Sequence, residues 1–296
     1  MTASTLEIVP IDATFGAFVR GVELRHLDET TWAGLHAAWL EYGLLIFPGQ
    51  FLTQDEQNAF AARFGNLEFA AAPISNVGRS GRVHSEPDDD VVKSIRGNEG
   101  WHHDSTYMPV QALGAVFTAE IVPREGAATG FADMRAAYDA LDEETRNLIS
   151  GLSAYHSLYY SQGRAGYLPT QNTKGGYDGY GYHQTEPSLR PLVKIHPDTG
   201  RPNLCVGRHA YGIVGMDPEE SERLIDRLND EACQPPRIYH HQWEVGDAVV
   251  WDNRRLMHQA TPFDLTQPRR MWHTRIAGRV DTELALNLDS PQVVRN

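Results

Sequence analysis

Apolar residues come in short runs through most of this chain, and Gly, Pro and acidic residues separate them. Residues 6–9 (Leu-Glu-Ile-Val) and 17–22 read as short strands around a Gly turn. Asp28 starts a helix as a cap, and apolar residues at helical spacing carry it to about Tyr42. Leu44-Leu-Ile-Phe47 is a buried strand that Pro48-Gly49 ends, and Thr53 with Glu56 forms a capping box for a second helix ending near Gly65. Residues 115–121 predict a further strand. Residues 133–150 predict a helix, with Leu141-Asp-Glu-Glu offering a second start. Residues 155–182, rich in Gly and Tyr, read as a loop. Strands are expected at 192–195, 203–206, 249–251 and 271–276, and an acidic helix at 218–230.

Helices thus cluster early and strands dominate the second half. Many short strands between turns imply a sandwich or barrel, here a mainly β jelly roll with flanking helices. No repeat or low-complexity linker divides the chain, so one domain spanning residues 1–296 is expected. A formal net charge of −13 speaks against a nucleic-acid partner, which needs a basic patch, yet leaves room for a locally positive site taking a small anion. The cysteines are Cys205 and Cys233, too few for a disulfide framework, which fits a reducing cytoplasm. The first residues lack the basic and apolar segments of a signal peptide, and no apolar run reaches membrane-spanning length.

The chemistry is carried by two distant motifs, Trp101-His102-His103-Asp104 and Trp251-Asp252-Asn253 leading to His258. His102 and Asp104 are two apart, so on an extended strand both side chains reach one metal ion, and His103 turns away. With His258 they complete the two-histidine, one-carboxylate set that holds Fe(II) on one face and leaves the other open. Zinc also accepts such ligands, but usually with a short His-x-x-x-His pair and a general-base Glu, and neither is present. Arg270 follows His258 by about a dozen residues and offers a bidentate grip on an anionic co-substrate, whereas its neighbour Arg269 reads as a surface residue. Thr129 offers the same co-substrate a hydroxyl. Met271-Trp-His273 alternate as a strand with one face buried beside the metal.

These motifs resemble the taurine dioxygenase-like family of Fe(II)/2-oxoglutarate-dependent dioxygenases over nearly the whole chain. Residues 101–110, 130–141, 206–210, 232–237 and 251–273 are similar to the branch that degrades aryloxyalkanoate herbicides, (S)-phenoxypropionate dioxygenases among them. The resemblance implies a double-stranded β-helix. It also implies iron on His102, Asp104 and His258, 2-oxoglutarate on Thr129 and Arg270, and Trp251 lining the 2-oxoglutarate pocket. Three features depart from the family. Gly126-Ala127-Ala128 stands where Gly-Gly-Asp is common. Thr274 stands four after Arg270, where taurine dioxygenases carry a sulfonate-binding Arg, and alternation would turn Arg275 to the other face. Tyr211 replaces an expected His.

The implied reaction consumes O2, splits 2-oxoglutarate to succinate and CO2, and hydroxylates a small anionic substrate. An (S)-2-aryloxypropionate would yield a phenol and a 2-oxo acid. A natural alkyl sulfate, sulfonate or secondary-metabolite acid is the alternative substrate, and an inactive metal-binding sensor is the alternative of another class. For substrate contact the resemblance points to Asn98, four residues before His102. Arg208 and His209 offer cations to a carboxylate. Residues 155–182 read as either an active-site lid or an oligomer contact, and a homo-oligomer is expected.

Overall fold

Alternation along the central strands sorts their side chains into two cores. The computed structural model describes residues 6–168 and 186–291. The chain runs β1 (Glu7–Pro10), β2 (Ala17–Arg20), α1 (Glu29–Tyr42), β3 (Leu44–Phe47), α2 (Gln54–Ala62), β4 (Leu67–Ser75), α3 (Asp90–Gly97) and β5 (Gly114–Ile121). It continues through β6 (Thr129–Asp133), α4 (Met134–Ala140), α5 (Glu143–Ile149), β7 (Ser153–His156), α6 (Leu158–Ala165), β8 (Ser188–Pro191), β9 (Val193–Ile195), β10 (Pro202–Leu204) and β11 (Ala210–Ile213). The last elements are α7 (Pro218–Ala232), β12 (Ile238–His241), β13 (Ala248–Asp252), β14 (Leu256–Ala260), β15 (Arg270–Ile276) and α8 (Val280–Glu283).

A seven-stranded sheet has the order β1-β2-β3-β13-β5-β15-β4, antiparallel except for the β2–β3 pair. On one face Leu45, Phe47, Val116 and Val250 pack with Trp39 of α1 and Phe60 of α2. On the other, Leu44, Ile46, Phe117, Val249, Trp251 and Met271 pack against Phe131 and Leu256 of the three-stranded sheet β12-β6-β14. Each such side chain contributes about 1.5–3 kcal/mol by leaving water. The functional residues lie at one end of this second core, between the two sheets.

The predicted early elements are present. Asp28 accepts from Thr31 N at the start of α1, and Thr53 and Glu56 close the expected capping box of α2. The helix expected over 133–150 is two helices. Asp133 caps α4, Asp142 caps α5, and Leu141 between them is extended. The loop expected over 155–182 holds the end of β7 and all of α6, and its residues 169–182 lie outside the described residues. Strands β4, β6, β11, β12 and β14 and helix α3 were not anticipated. Thr129–Asp133 is buried throughout and too short to show a period, and β4 is an edge strand containing Pro73. No helix among the described residues is long and apolar enough to cross a membrane.

Candidate metal and co-substrate site

His102, Asp104 and His258 are buried, and each offers a ligand atom within 4.8 Å of the others. His102 and His258 are bridge partners: His102 N donates to His258 O at 2.9 Å, and His258 N donates to His102 O at 2.8 Å. The extended strand expected beneath His102 and Asp104 is only this bridge. A turn follows at once, with Ser105 in the left-handed region at φ 55°. Asn253, arriving from the end of β13, fixes that turn. Its Oδ1 accepts from Asp104 N at 2.7 Å, and its Nδ2 donates to the carbonyls of Asp104 and Ala112, each at 2.9 Å. His103 points away, as expected, and donates from Nδ1 to Asn253 O at 2.8 Å.

The donor set fits a divalent metal. His102 Nδ1 donates to the Gly100 carbonyl at 2.7 Å, which leaves Nε2 as its lone-pair nitrogen. Asp104 Oδ2 is buried, accepts no hydrogen bond and lies 3.8 Å from His258 Nε2. A bound cation would satisfy that oxygen. Burial pushes the imidazoles of His102 and His258 well below the usual histidine range, and neighbouring positive groups, Arg208 among them, lower both further, opposed at His102 by Asp104. Both are therefore neutral and able to ligate near neutral pH.

Strand β15 passes beside these ligands, and its register corrects two expectations. Arg270 faces outward: its Nη1 pairs with Glu120 Oε1 at 3.0 Å, and Trp272 Nε1 donates to the other Glu120 oxygen at 2.6 Å. Thr274 faces the same way and donates to Asn58 of α2. Arg270 is thus spent on a partly exposed ion pair and does not reach the metal site. Met271, His273 and Arg275 face inward. His273 Nε2 is 3.5 Å from Asp104 Oδ2, and Arg275 Nη2 is 2.7 Å from Asp104 Oδ1. Arg275, expected on the far face, is therefore in the site, and His273 is the inward residue four after Arg269. Alternation puts Arg269 on this inner face too.

Arg269, expected at the surface, is 5% exposed, with its guanidinium 5.9 Å from the Phe263 ring. Burial pushes its pKa down to about 10, so it stays charged at neutral pH, and among the described residues no carboxylate neutralises it. Phe263 packs against Gly126, three residues before Thr129, and Ala127 N donates to Pro262 O. The 260–263 segment thus joins Arg269 to the Thr129 end of β6.

Thr129 is buried, and its Oγ1 accepts from Trp243 Nε1 at 2.9 Å, so its own hydroxyl proton is free to donate. Trp251 is fully buried and walls the site, with its ring 4.8 Å from His258 and stacked at 5.9 Å on His273. Gly207, at φ 108°, lets the 206–210 segment lie against the first ligand, since a Cβ there would stand 3.0 Å from Trp101 O. Arg208 N donates to that same oxygen, and the Arg208 charge is felt at both His102 and His258.

His209 is buried edge-on to His102, ring centroids 5.5 Å apart, and to Tyr107 at 4.8 Å. Its role as a cation does not survive the geometry. Burial pushes it well below the usual range. The Ser161 hydroxyl donates to Leu158 O, so His209 Nδ1 must donate to Ser161 Oγ, and Nε2 is left as an acceptor. Asn98 ends α3 and reaches β14 through its carbonyl, which accepts from Ala260 N. Tyr211 stacks on Tyr160 of α6. Sequence reasoning missed Arg269, His273, Arg275 and Asn253. The Arg269-Arg270 doublet carried a signal for the first three but left the register undecided.

Residues 7–276 match the model of the family described as taurine catabolism dioxygenase TauD, TfdA family. The chain is 60% identical to the (S)-phenoxypropionate/alpha-ketoglutarate-dioxygenase of Sphingobium herbicidovorans, covering 95% of this chain and 98% of the relative. It is 56% identical to the protein of the same name from Delftia acidovorans, with the same coverage. The fold matches a crystal structure of AAD-2 in complex with Mn(II) and N-oxalylglycine with a TM-score of 0.86 at 36% identity, covering 96% of this chain and all of the other. With the donor atoms of His102, Asp104 and His258 converged between the seven-stranded sheet and β12-β6-β14, the chain belongs to the TauD, TfdA family.

Proposed function

We propose that this chain is an Fe(II)- and 2-oxoglutarate-dependent dioxygenase that cleaves an (S)-2-aryloxypropionate to a phenol and a 2-oxo acid. The observation that carries the reading is the convergence of two neutral imidazoles and one carboxylate oxygen, in a chain that also buries Arg269, a cation that no carboxylate among the described residues neutralises. The substrate class is supported by the relatives at 60% and 56% identity, both (S)-phenoxypropionate/alpha-ketoglutarate-dioxygenases.

Iron held by His102, Asp104 and His258 would supply the oxidising chemistry, with O2 as the oxidant and 2-oxoglutarate as the co-substrate. Arg269 grips the distal carboxylate of 2-oxoglutarate bidentately, and the Thr129 hydroxyl donates to the same group. Arg208 pairs with the carboxylate of the substrate, because an unpaired buried carboxylate is costly. These anchors place the C–H next to the ether oxygen at the site of oxidation. Its hydroxylation gives a hemiketal, which collapses to phenol and pyruvate. Trp251 keeps the wall of the pocket dry. The same reading takes the fold as one double-stranded β-helix domain, working in the cytoplasm as a homo-oligomer.

The test follows succinate and phenol release with separate (S)- and (R)-2-aryloxypropionates, alkyl sulfates and sulfonates. Phenol equal to succinate with the (S) enantiomers is expected. Succinate coupled only to an alkyl sulfate or sulfonate would overturn the substrate class, and no stimulated succinate release with any of them would overturn the enzymatic reading.

A further inference from the structure

The ligand Asp104 is held from two directions. Asn253 fixes its backbone, while its side chain meets a cation from β15: Arg275 Nη2 lies 2.7 Å from Oδ1, and among the described residues Oδ2 accepts no hydrogen bond. Arg275 is itself anchored. Its Nη1 donates to Ser105 Oγ at 3.0 Å, and Ser105 donates onward to the Glu68 carboxylate at 3.2 Å. Phe69, the cross-strand neighbour of Arg275 on β4, lies under the guanidinium at 4.9 Å. The guanidinium therefore has a fixed position before any metal arrives.

We propose that Arg275 is a positioning residue of the metal centre: by occupying Oδ1 of Asp104 it presents Oδ2 alone to the metal. The inference rests on the metal-centre reading above. A free carboxylate has two oxygens to offer and can take up two coordination positions. A charge-assisted bond to one of them removes that option. Open positions are what this type of centre needs for co-substrate and O2. Two effects of Arg275 oppose each other. Its positive charge disfavours a nearby cation, while its hold on Oδ1 orients the ligand. Orientation wins in this proposal, because the carboxylate is buried and, among the described residues, the bond from Arg275 is the hydrogen bond that holds it.

The experiment is titration of the metal-free full chain with Co(II), read by calorimetry and by the visible spectrum of the bound ion. Arg275→Gln should weaken Co(II) binding by roughly 10- to 100-fold, the usual cost of losing a partner that orients a ligand, and should alter the spectrum as the second oxygen enters the coordination sphere. Arg275→Lys should recover part of the affinity. Glu68→Gln, which weakens the Ser105 relay that anchors Arg275, should shift both readouts in the same direction by less. Should Arg275→Gln fail to fold, the lysine and Glu68 variants decide the matter. Affinity equal to or tighter than that of the unaltered protein, with an unchanged spectrum, would overturn the role of Arg275. Failure of the unaltered protein to take up Co(II), Mn(II) or Fe(II) would instead overturn the metal centre.

Discussion

On the outer face of β15, Arg270 and Trp272 share the Glu120 carboxylate near solvent, and Thr274 bonds to Asn58. On the inner face, His273 and Arg275 converge on the candidate ligand Asp104, and Met271 packs beside Trp251. Neighbouring positions on one strand therefore serve surface pairing and metal chemistry in turn. The adjacent pair Arg269 and Arg270 shows how sharp the division is. One guanidinium is buried with no counter-charge among the described residues, and the other is partly exposed and paired. A strand repeats every two residues, so a register shift of one exchanges the two roles completely.

The largest contrast is expected at the ligands themselves. Alanine at His102, Asp104 or His258 should abolish turnover and Fe(II) uptake with little change in the circular dichroism spectrum. Near-normal metal binding in any of the three would remove that residue from the centre. Next comes the arginine pair. Arg269→Ala should raise the 2-oxoglutarate KM by tens to about a thousandfold, or about 2–4 kcal/mol, while Arg270→Ala moves it little. Kinetics showing the reverse would put the inner and outer faces of β15 the wrong way round.

A smaller effect is expected at Arg208, across the site from β15. Arg208→Gln should lower kcat/KM for an (S)-aryloxypropionate by about tenfold to a hundredfold, with the 2-oxoglutarate KM unchanged. If the 2-oxoglutarate constant moved instead, Arg208 would belong to the co-substrate.

Acid should act on the interior. Burial pushes His103 down to about 4 and His156 well below the ordinary range. The unfolded chain therefore binds more protons below about pH 6.5, and stability falls as pH drops from there towards 4. His103 alone accounts for on the order of 3 kcal/mol over that window. Urea melts of metal-free protein between pH 7.5 and 5 should show the decline, and a flat profile would mean that these rings take up protons in the folded state as readily as in the unfolded chain. The smallest effect belongs to the outer face. The Arg270–Glu120 pair is solvent-accessible, so Glu120→Gln should cost about 1 kcal/mol or less in the same melts. A larger loss would show that the outer pair supports the inner site through the strand.

Legibility differed residue by residue, for physical reasons. Asp28 and Thr53 were readable as caps because a cap acts within three residues of itself. His102, Asp104 and His258 were readable because few pairings of residue types serve Fe(II), and the family resemblance placed them together. Thr129 was expected in a turn; it begins β6, whose five buried positions show no period. His209 looked cationic in sequence, and only the proton of Ser161, donated to Leu158, shows which nitrogen keeps the lone pair.

By itself the sequence determined the class of chemistry, the three residues whose donor atoms converge and the early helices. All of these depend on residue type or on contacts a few positions apart. Tertiary structure decided which arginine is buried, because the inner face of β15 is defined only by pairing with β4 and β5, and a bulge interrupts the β5 register between Arg270 and Met271. It also decided that Arg275 and Asn253 hold Asp104, across 171 and 149 residues of chain. Local periodicity carries no information over such separations. The side chains meet because two sheets close on one hydrophobic core.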